Sequence, residues 1–291
     1  MPSALQIKSH FLGDPMTLTS IAPSSQDIFR VILVNIDNEG DFVNKNGLLS
    51  VEGADLAAHR TARFIDTHLD RLTTILSSMD KHGLKHIFLA SWWVNREGKH
   101  PAEYSQITYE DIQNKTWLPR FDKQWSVDYV RTLQKFTIWP VHCVAGTAGS
   151  EIVPVIAQAI SRHGLLRRSV HLELLKGQNL RTEHYGIFGA EVEDPKDPGT
   201  KLNTGLMRDI SGYNRSYWLG QEANHCVRRS LEQYIAWCEE FNPEAIHRMR
   251  YVTDCVSLLP LGPEYQTDAD RSLFNMVQKG MLLVNSSDQF I

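Results

Sequence analysis

Three reactive side chains lie at or just after predicted β-strands, and together they could carry out acyl transfer. Asp37 follows a nearly continuous apolar run, Lys176 follows a second such run, and Cys226 begins a helical pattern shortly after a third. A cysteine can attack a carbonyl carbon, a carboxylate can take up and return the thiol proton, and an ammonium group stabilises a charged neighbour. These residue types therefore predict attack by Cys226 on a carbonyl, followed by hydrolysis of a thioester.

The turn before Cys226 adds a second requirement of such chemistry. Residues 219–227 read Leu-Gly-Gln-Glu-Ala-Asn-His-Cys-Val and connect a short strand to a helix. The N-terminus of a helix carries partial positive charge that favours a thiolate, and its free N–H groups can stabilise an oxyanion. A cysteine without further context is more often a small buried apolar residue. The rest of the chain decides between these two interpretations.

Strands alternate with helices along most of the chain. We predict strands at residues 28–36, 86–90, 170–175, 216–219, 249–253 and 281–284, and helices at residues 53–82, 150–163, 202–211, 225–241 and 268–279. This alternation predicts a three-layer α/β/α fold with a central, mainly parallel sheet. In such sheets ligands bind beyond the carboxyl ends of the strands, which is where Asp37, Lys176 and Cys226 are expected.

Length and composition favour one large domain. The chain has 291 residues, of which 42% are hydrophobic, enough for a sizeable core. Residues 1–26 are polar and are predicted to form an N-terminal extension, and residues 27–291 form a single domain. Residues 91–138 contain no long periodic run and are predicted to be a loop-rich insertion.

Charge and cysteine usage exclude several classes of function. The net charge of −4 gives no electrostatic reason to expect nucleic-acid binding. No apolar run approaches the roughly 20 residues that span a bilayer, and no signal-peptide pattern is present, so no membrane association is expected. The four cysteines are widely spaced, which is typical of neither a zinc knuckle nor a disulfide framework. A reducing cytoplasm is the predicted location.

Four segments resemble the isochorismatase-like cysteine hydrolases, and most closely the nicotinamidases among them. Residues 36–42 are similar to the family's Asp-x-Gln-x-Asp-Phe loop, Lys176-Gly177 to its lysine loop, and residues 220–227 to its nucleophile turn. Residues 139–149, Trp-Pro-Val-His-Cys-Val-Ala-Gly-Thr-Ala-Gly, match the motif Trp-Pro-x-His-Cys-x-x-Gly-Thr-x-Gly and are the most specific piece. The resemblance implies the isochorismatase-like hydrolase fold and a homo-oligomer.

The same resemblance assigns roles to individual residues. Asp37, Lys176 and Cys226 would form the catalytic triad. A cis peptide bond is expected between Gln221 and Glu222, and it would direct the N–H groups of Glu222 and Cys226 at the oxyanion. The aromatic ring of Phe42 would either flank the substrate or belong to the core.

Nicotinamidases also bind a divalent metal, through an Asp-x-His motif after the second strand and a further histidine. The corresponding stretch is residues 91–100, where Trp93 stands in place of the aspartate and Asn95 in place of the first histidine. Only His100 fits, as an isolated candidate ligand. We therefore expect no cofactor, although a divalent metal such as zinc is possible.

Further departures from the family pattern give candidate substrate-binding residues. Glu39 replaces a glutamine and adds negative charge beside Asp37. Trp92 and Trp93 either form an apolar wall in the vacated metal space or pack within the insertion. Glu222 replaces a small residue and is a candidate polar contact for a substrate amide.

The sequence thus predicts a metal-independent, nicotinamidase-like cysteine hydrolase that cleaves a non-peptide C–N bond in a small-molecule amide. An isochorismatase-type or carbamoyl/ureido hydrolase is the alternative within the same fold. A non-catalytic binding protein that has lost its metal is a third hypothesis, and the intact triad argues against it.

Overall fold

A computed structural model describes residues 21–290, in which six strands form one all-parallel sheet. The strands are β1 (Val31–Ile36), β2 (Thr74–Asp80), β7 (His171–Lys176), β8 (Arg215–Gly220), β9 (Met249–Val256) and β10 (Leu282–Val284). Their order across the sheet is β10-β9-β8-β1-β2-β7. The predicted extension lies mostly outside the described residues, and its described part contains a short 3-10 helix at Ser24–Gln26.

Side chains of the central strand β1 alternate between the two faces of the sheet, and both faces are covered. Val31 and Leu33 belong to a core cluster with residues of the helices α2 (Ala54–Thr67) and α5 (Pro154–Arg167). Ile32, Val34 and Ile36 belong to a second cluster with the helices α6 (Thr204–Ser211) and α7 (Cys226–Phe241). Every position of β1 is buried, and its sequence is apolar except for Asn35, as is typical of strands in parallel sheets. The predicted three-layer α/β/α fold is confirmed.

The remaining helices are short or lie at the ends of the chain. They are α1 (Gly40–Val43), α3 (Tyr109–Gln113), α4 (Lys123–Leu133), α8 (Glu244–His247) and α9 (Pro263–Gln278). None of the helices among residues 21–290 is long and apolar enough to cross a membrane.

The long helix predicted at residues 53–82 is wrong in its second half. Helix α2 ends at Thr67, and residues 74–80 form strand β2 between β1 and β7. Because β2 is covered on both faces, its apolar residues do not alternate, and Ile75, Leu76 and Met79 continue the helical spacing of α2 by coincidence. The strand predicted at residues 86–90 is absent from the main sheet, where only an isolated bridge joins Leu89 to Trp139.

The predicted insertion has a hydrophobic cluster of its own. Two small antiparallel sheets pair β3 (Trp93–Val94) with β5 (Leu118–Pro119) and β4 (Gln106–Thr108) with β6 (Lys135–Thr137). Trp92 and Trp93 are both buried in this cluster, together with Tyr129. The insertion is therefore a packed subdomain.

Candidate active site

Four neighbouring strands bring the candidate catalytic residues to one edge of the sheet. Asp37 follows β1, Asp80 ends β2, Lys176 ends β7, and Cys226 begins α7 shortly after β8. These strands are adjacent in the order β8-β1-β2-β7. The fold thus brings together Asp37, Lys176 and Cys226, as predicted from the sequence, and adds Asp80, which sequence reasoning missed.

The Lys176 ammonium group is the centre of this cluster. Its Nζ lies 2.9 Å from Asp37 Oδ2, 2.6 Å from Asp80 Oδ1 and 3.7 Å from Cys226 Sγ. One carboxylate oxygen of Asp37, one of Asp80 and the Cys226 sulfur all lie within 4.8 Å of one another. Ser78 Oγ donates a 2.6 Å hydrogen bond to Asp37 Oδ1 and fixes that carboxylate. A thiol, a proton acceptor and a cation are therefore in mutual contact.

Burial and charge together set the protonation of these groups. Burial raises the pKa of the Cys226 thiol well above its ordinary value. The charge of Lys176 lowers this pKa, and the charges of Asp37 and Asp80 raise it further. Burial also raises the pKa of Asp37. For Lys176 burial acts in the opposite direction, but the carboxylates of Asp37 and Asp80 raise its pKa well above the usual range. We expected the helix N-terminus to favour a thiolate, whereas burial favours the protonated thiol of Cys226.

The turn before Cys226 has a backbone that only glycine can adopt at one position. Gly220 has φ of 128°, and a Cβ there would lie 1.9 Å from the carbonyl oxygen of Ile36. The next residue, Gln221, donates its N–H to that same oxygen at 2.8 Å. The peptide bond between Gln221 and Glu222 is cis. The tight packing against β1 holds the turn beside Asp37.

A cavity opens above Cys226 and has aromatic walls. It contains about 390 Å³ of atom-free space. Phe42, Glu222 and Cys226, three residues selected from the sequence, line it together with Trp139 and Tyr185. Cys226 therefore faces a largely apolar cavity.

Other predicted site residues lie elsewhere. Trp92 and Trp93 do not line this cavity, because their indole N–H groups donate to Ser126 Oγ and to the Ile87 carbonyl within the insertion core. Glu39 is buried and does not line it either. Its Oε2 accepts a 2.7 Å hydrogen bond from the Asp80 N–H, and burial with the charges of Asp37 and Asp80 raises its pKa well above the ordinary value.

A second cluster of possible ligands shares Asp80 with the group around Lys176. Ligand atoms of Asp80, His82 and His142 lie within 4.8 Å of one another, and all three residues are buried. Each histidine has its Nδ1 within hydrogen-bond distance of a backbone carbonyl, His82 with Gly177 at 3.1 Å and His142 with Pro140 at 2.8 Å. These bonds leave both Nε2 atoms for another partner, and His82 Nε2 lies 3.6 Å from Asp80 Oδ2.

The protonation of the two histidines differs. Burial, and after it the charge of His82, lowers the pKa of His142 to about 3, so its ring is neutral. For His82 burial opposes protonation, but the Asp80 carboxylate raises the pKa.

Glu183 also lines the cavity, and burial raises its pKa to about 7.

The cluster corrects the expectation about metal ligands. The Asp-x-His pattern follows the second strand as Asp80-Lys81-His82, not at residues 91–100, because the second strand is β2. His100 is exposed, and its Nδ1 pairs with the Trp93 carbonyl at 2.6 Å. The missed signal was the Asp-x-His pattern itself, together with the histidine of the 139–149 motif, which was not assigned to a ligand set from the sequence.

Similarity to a protein of known sequence covers part of the chain. No family model matches the chain. A segment of 133 residues is 29% identical to the nicotinamidase of Saccharomyces cerevisiae, covering 45% of this chain and 52% of that protein. The chain thus matches about half the length of this relative.

Solved structures show the same architecture over most of the chain. The yeast nicotinamidase Pnc1p bound to nicotinaldehyde has a TM-score of 0.61 at 19% identity, and the match covers 88% of this chain and 99% of that one. A nicotinamidase/pyrazinamidase of Acinetobacter baumanii has a TM-score of 0.57 at 19% identity, covering 89% and 97%. The pyrazinamidase of Pyrococcus horikoshii in complex with zinc has a TM-score of 0.52 at 19% identity, covering 88% and 99%.

The fold is therefore the one that these nicotinamidases and pyrazinamidases share. Within it, the proteins that this chain resembles are nicotinamidases, as the four sequence segments predicted.

Proposed function

We propose that this protein is a cysteine amidohydrolase that cleaves a non-peptide C–N bond in a small amide. The observation that carries the proposal is the contact of Lys176 Nζ with both Cys226 Sγ and Asp37. A buried thiol beside a carboxylate and a cation is the arrangement that cysteine nucleophiles require.

The reaction would proceed in two halves. Asp37 takes the thiol proton as the Cys226 sulfur attacks the amide carbon, and the N–H groups of Glu222 and Cys226 stabilise the oxyanion. Asp37 then returns the proton to the leaving amine, the C–N bond breaks, and a thioester remains. Water attacks the thioester carbon while Asp37 accepts one proton from the water. The C–S bond then breaks, Asp37 returns that proton to the departing sulfur, and the Cys226 thiol is restored as the carboxylic acid leaves. The raised pKa of Asp37 suits a group that must act as both base and acid.

The cavity supports a small planar amide as substrate. Aromatic side chains of Phe42, Trp139 and Tyr185 line it, and flat rings pack well against such walls. The similar proteins are named for nicotinamide and pyrazinamide. We infer that a ring carboxamide of this kind is the substrate.

Asp80, His82 and His142 would hold a divalent metal. One carboxylate and two imidazole nitrogens are the donor set that zinc takes in open catalytic sites, and backbone carbonyls orient both rings with Nε2 free. His86 packs beside His82, with ring centroids 5.1 Å apart. A metal held by Asp80, His82 and His142 would act as a Lewis acid towards a ring nitrogen of the substrate. We expected a metal-free enzyme because residues 91–100 lack the Asp-x-His pattern, and Asp80-Lys81-His82 has that pattern.

The remaining expectations stay as proposals. We retain a homo-oligomer and a cytoplasmic location, which rest on the family resemblance and on cysteine usage.

Turnover of nicotinamide and pyrazinamide by Cys226→Ala tests the proposed chemistry. Loss of all measurable activity is expected, because no other nucleophile occupies the helix start. Cys238→Ala is the matched control, since Cys238 is a buried cysteine on the same helix that does not line the cavity. Retained activity in Cys226→Ala would contradict the proposal, and turnover of ureido acids or isochorismate instead of ring amides would redirect it to the alternative hydrolase.

A further inference from the structure

Three polar side chains form a connected network on the wall of the cavity. His225 Nδ1 lies 2.5 Å from Glu222 Oε1, and the Tyr265 hydroxyl lies 2.9 Å from the same oxygen and 2.7 Å from His225 Nδ1. Glu222 and His225 line the cavity next to Cys226. Tyr265 comes from α9, far along the chain. The proposed hydrolysis assigns no role to any of these three side chains.

The Glu222 side chain is firmly held. It is 5% exposed, its Oε1 also accepts the Asn224 N–H at 3.1 Å, and its Oε2 accepts the Leu259 N–H at 3.3 Å. A carboxylate with this many donors cannot rotate without leaving several of them unpaired, and unpaired buried donors are costly. Glu222 is therefore a fixed acceptor facing His225.

This acceptor determines the tautomer of His225. A carboxylate can only accept hydrogen bonds, so the contact with Glu222 requires a hydrogen on Nδ1. Nε2 is then the ring nitrogen that remains for another partner. The ring plane is fixed as well, because it packs edge-on against Trp139 at 4.9 Å and beside Tyr185 at 5.0 Å.

We propose that His225 Nε2 is a substrate-recognition group, and that Glu222 and Tyr265 are its positioning residues. The substrate class is then narrower than ring amides in general. It consists of small ring carboxamides that bear a further hydrogen-bonding group, such as an amino, hydroxyl, carbonyl or carboxylate substituent, beyond the carboxamide and any ring nitrogen. This inference rests on the proposed function, because it assumes that an amide is cleaved in this cavity.

The energetic reason is the partial burial of the histidine. The His225 side chain is only 20% exposed, and a bound ring would remove more of the remaining water. A polar group that loses water without gaining a partner costs free energy, so a site built around it discriminates against analogues that cannot pair with it. The aromatic rings of Phe42 and Trp139 can contribute to binding affinity, but they cannot distinguish amides that bear a further hydrogen-bonding group from those that do not.

The test compares selectivity between two kinds of substrate. We would measure kcat and KM for nicotinamide and for its amino-, hydroxy- and carboxy-substituted derivatives, with the wild type and with His225→Phe. The wild type should prefer at least one substituted amide by about tenfold or more in kcat/KM, and His225→Phe should abolish that preference, mainly through KM. His59→Phe, the same substitution on an exposed helix position, should keep the wild-type preference.

Two conservative variants test the positioning residues. Glu222→Gln and Tyr265→Phe remove a charge and one oxygen, respectively, and each should weaken the preference by raising KM for the substituted amide more than KM for the unsubstituted one. Nitrogen NMR of the His225 ring should show hydrogen on Nδ1 in the wild type and a mixture of tautomers in Glu222→Gln. These variants also carry the test if His225→Phe fails to fold.

Two results would overturn the inference. One is a wild type that prefers the unsubstituted amide, and the other is an equal loss on both substrates in His225→Phe. Either leaves the proposed hydrolysis intact as long as Cys226→Ala is inactive. Activity in Cys226→Ala would instead overturn the hydrolysis itself.

Discussion

Lys176 Nζ lies 2.9 Å from Asp37 Oδ2, although strand β2 lies between the strands that carry the two residues. The long lysine side chain crosses the end of β2 and meets the Asp80 carboxylate on the way, at 2.6 Å. One ammonium group is therefore shared by two buried carboxylates, and it holds three strand ends together.

Replacing this lysine should damage stability as well as activity. Lys176→Met leaves the Asp37 and Asp80 carboxylates buried without their cation, and breaking a buried ion pair in this way costs about 3–5 kcal/mol. Denaturant unfolding should show a loss of this size, together with loss of turnover. Lys279→Met breaks a half-exposed pair with Glu239 and should change stability by about 0.5 kcal/mol or less. Equal stabilities of the two variants would contradict a central role for Lys176.

The proposed ligand cluster predicts bound metal. Elemental analysis of purified protein should find about one divalent ion per chain, with zinc as the expected metal. His82→Ala and His142→Ala should each lower metal content and turnover, by about tenfold or more in activity. His59→Ala, on an exposed helix position, is the control. Full metal content in both ligand variants would place the ion elsewhere.

Gly220 should be irreplaceable for a steric reason. A Cβ at this position meets the Ile36 carbonyl oxygen at 1.9 Å, so Gly220→Ala must displace the nucleophile turn. We expect a loss of about 3 kcal/mol or more in unfolding free energy, and loss of turnover. Gly98 also has positive φ, but a Cβ there would meet no atom within 4 Å, and Gly98→Ala should cost about 1 kcal/mol. Similar losses in the two variants would show that backbone conformation alone, without the clash, sets the cost.

Stability should fall in mild acid, in part because of His163. Burial lowers the pKa of this residue from 6.5, and this effect outweighs the opposing effect of the hydrogen bond that its Nε2–H donates to the Leu72 carbonyl at 2.8 Å. The folded state therefore favours the neutral ring. The unfolded chain then binds more protons below the ordinary histidine pKa, and unfolding becomes easier as pH falls through it.

The measurement is unfolding free energy between about pH 7.5 and about pH 5.5. His163→Gln, which keeps a donor but cannot be protonated, should lose about 1 kcal/mol less than the wild type over this range. The exposed control His59→Gln should follow the wild-type slope. A wild-type slope in His163→Gln would show that other groups account for the acid sensitivity.

The convergence of Asp37, Lys176 and Cys226 could be predicted from the sequence because its signal is local. Asp37, Lys176 and Cys226 each stand directly beside a strand, and the rule that ligands bind at the carboxyl ends of parallel strands brings them together without knowledge of the register. Strand β2 could not be recognised in the same way. It is covered on both faces, so it lacks alternation and merges with the apolar pattern of α2.

The failure to predict strand β2 led to two further errors. It moved the expected metal motif from residues 80–82 to residues 91–100, and it made Trp92 and Trp93 candidates for the site when they belong to the insertion core. The network of Glu222 and His225 with Tyr265 had no sequence signal at all. Tyr265 lies 40 residues beyond His225, and only the packing of α9 brings its hydroxyl to the cavity wall.

The position of β8 has a consequence for biosynthesis. It pairs with β1 on one side and β9 on the other, yet it is translated after β1, β2 and β7. A nascent chain that has emerged from the ribosome only as far as β7 therefore presents β1 as a bare edge, with unpaired N–H and C=O groups that can template association. Arrival of β8 covers that edge and delivers Cys226 in the same step. A chain terminated before β8 would lack Cys226 and would also leave the edge of β1 unpaired.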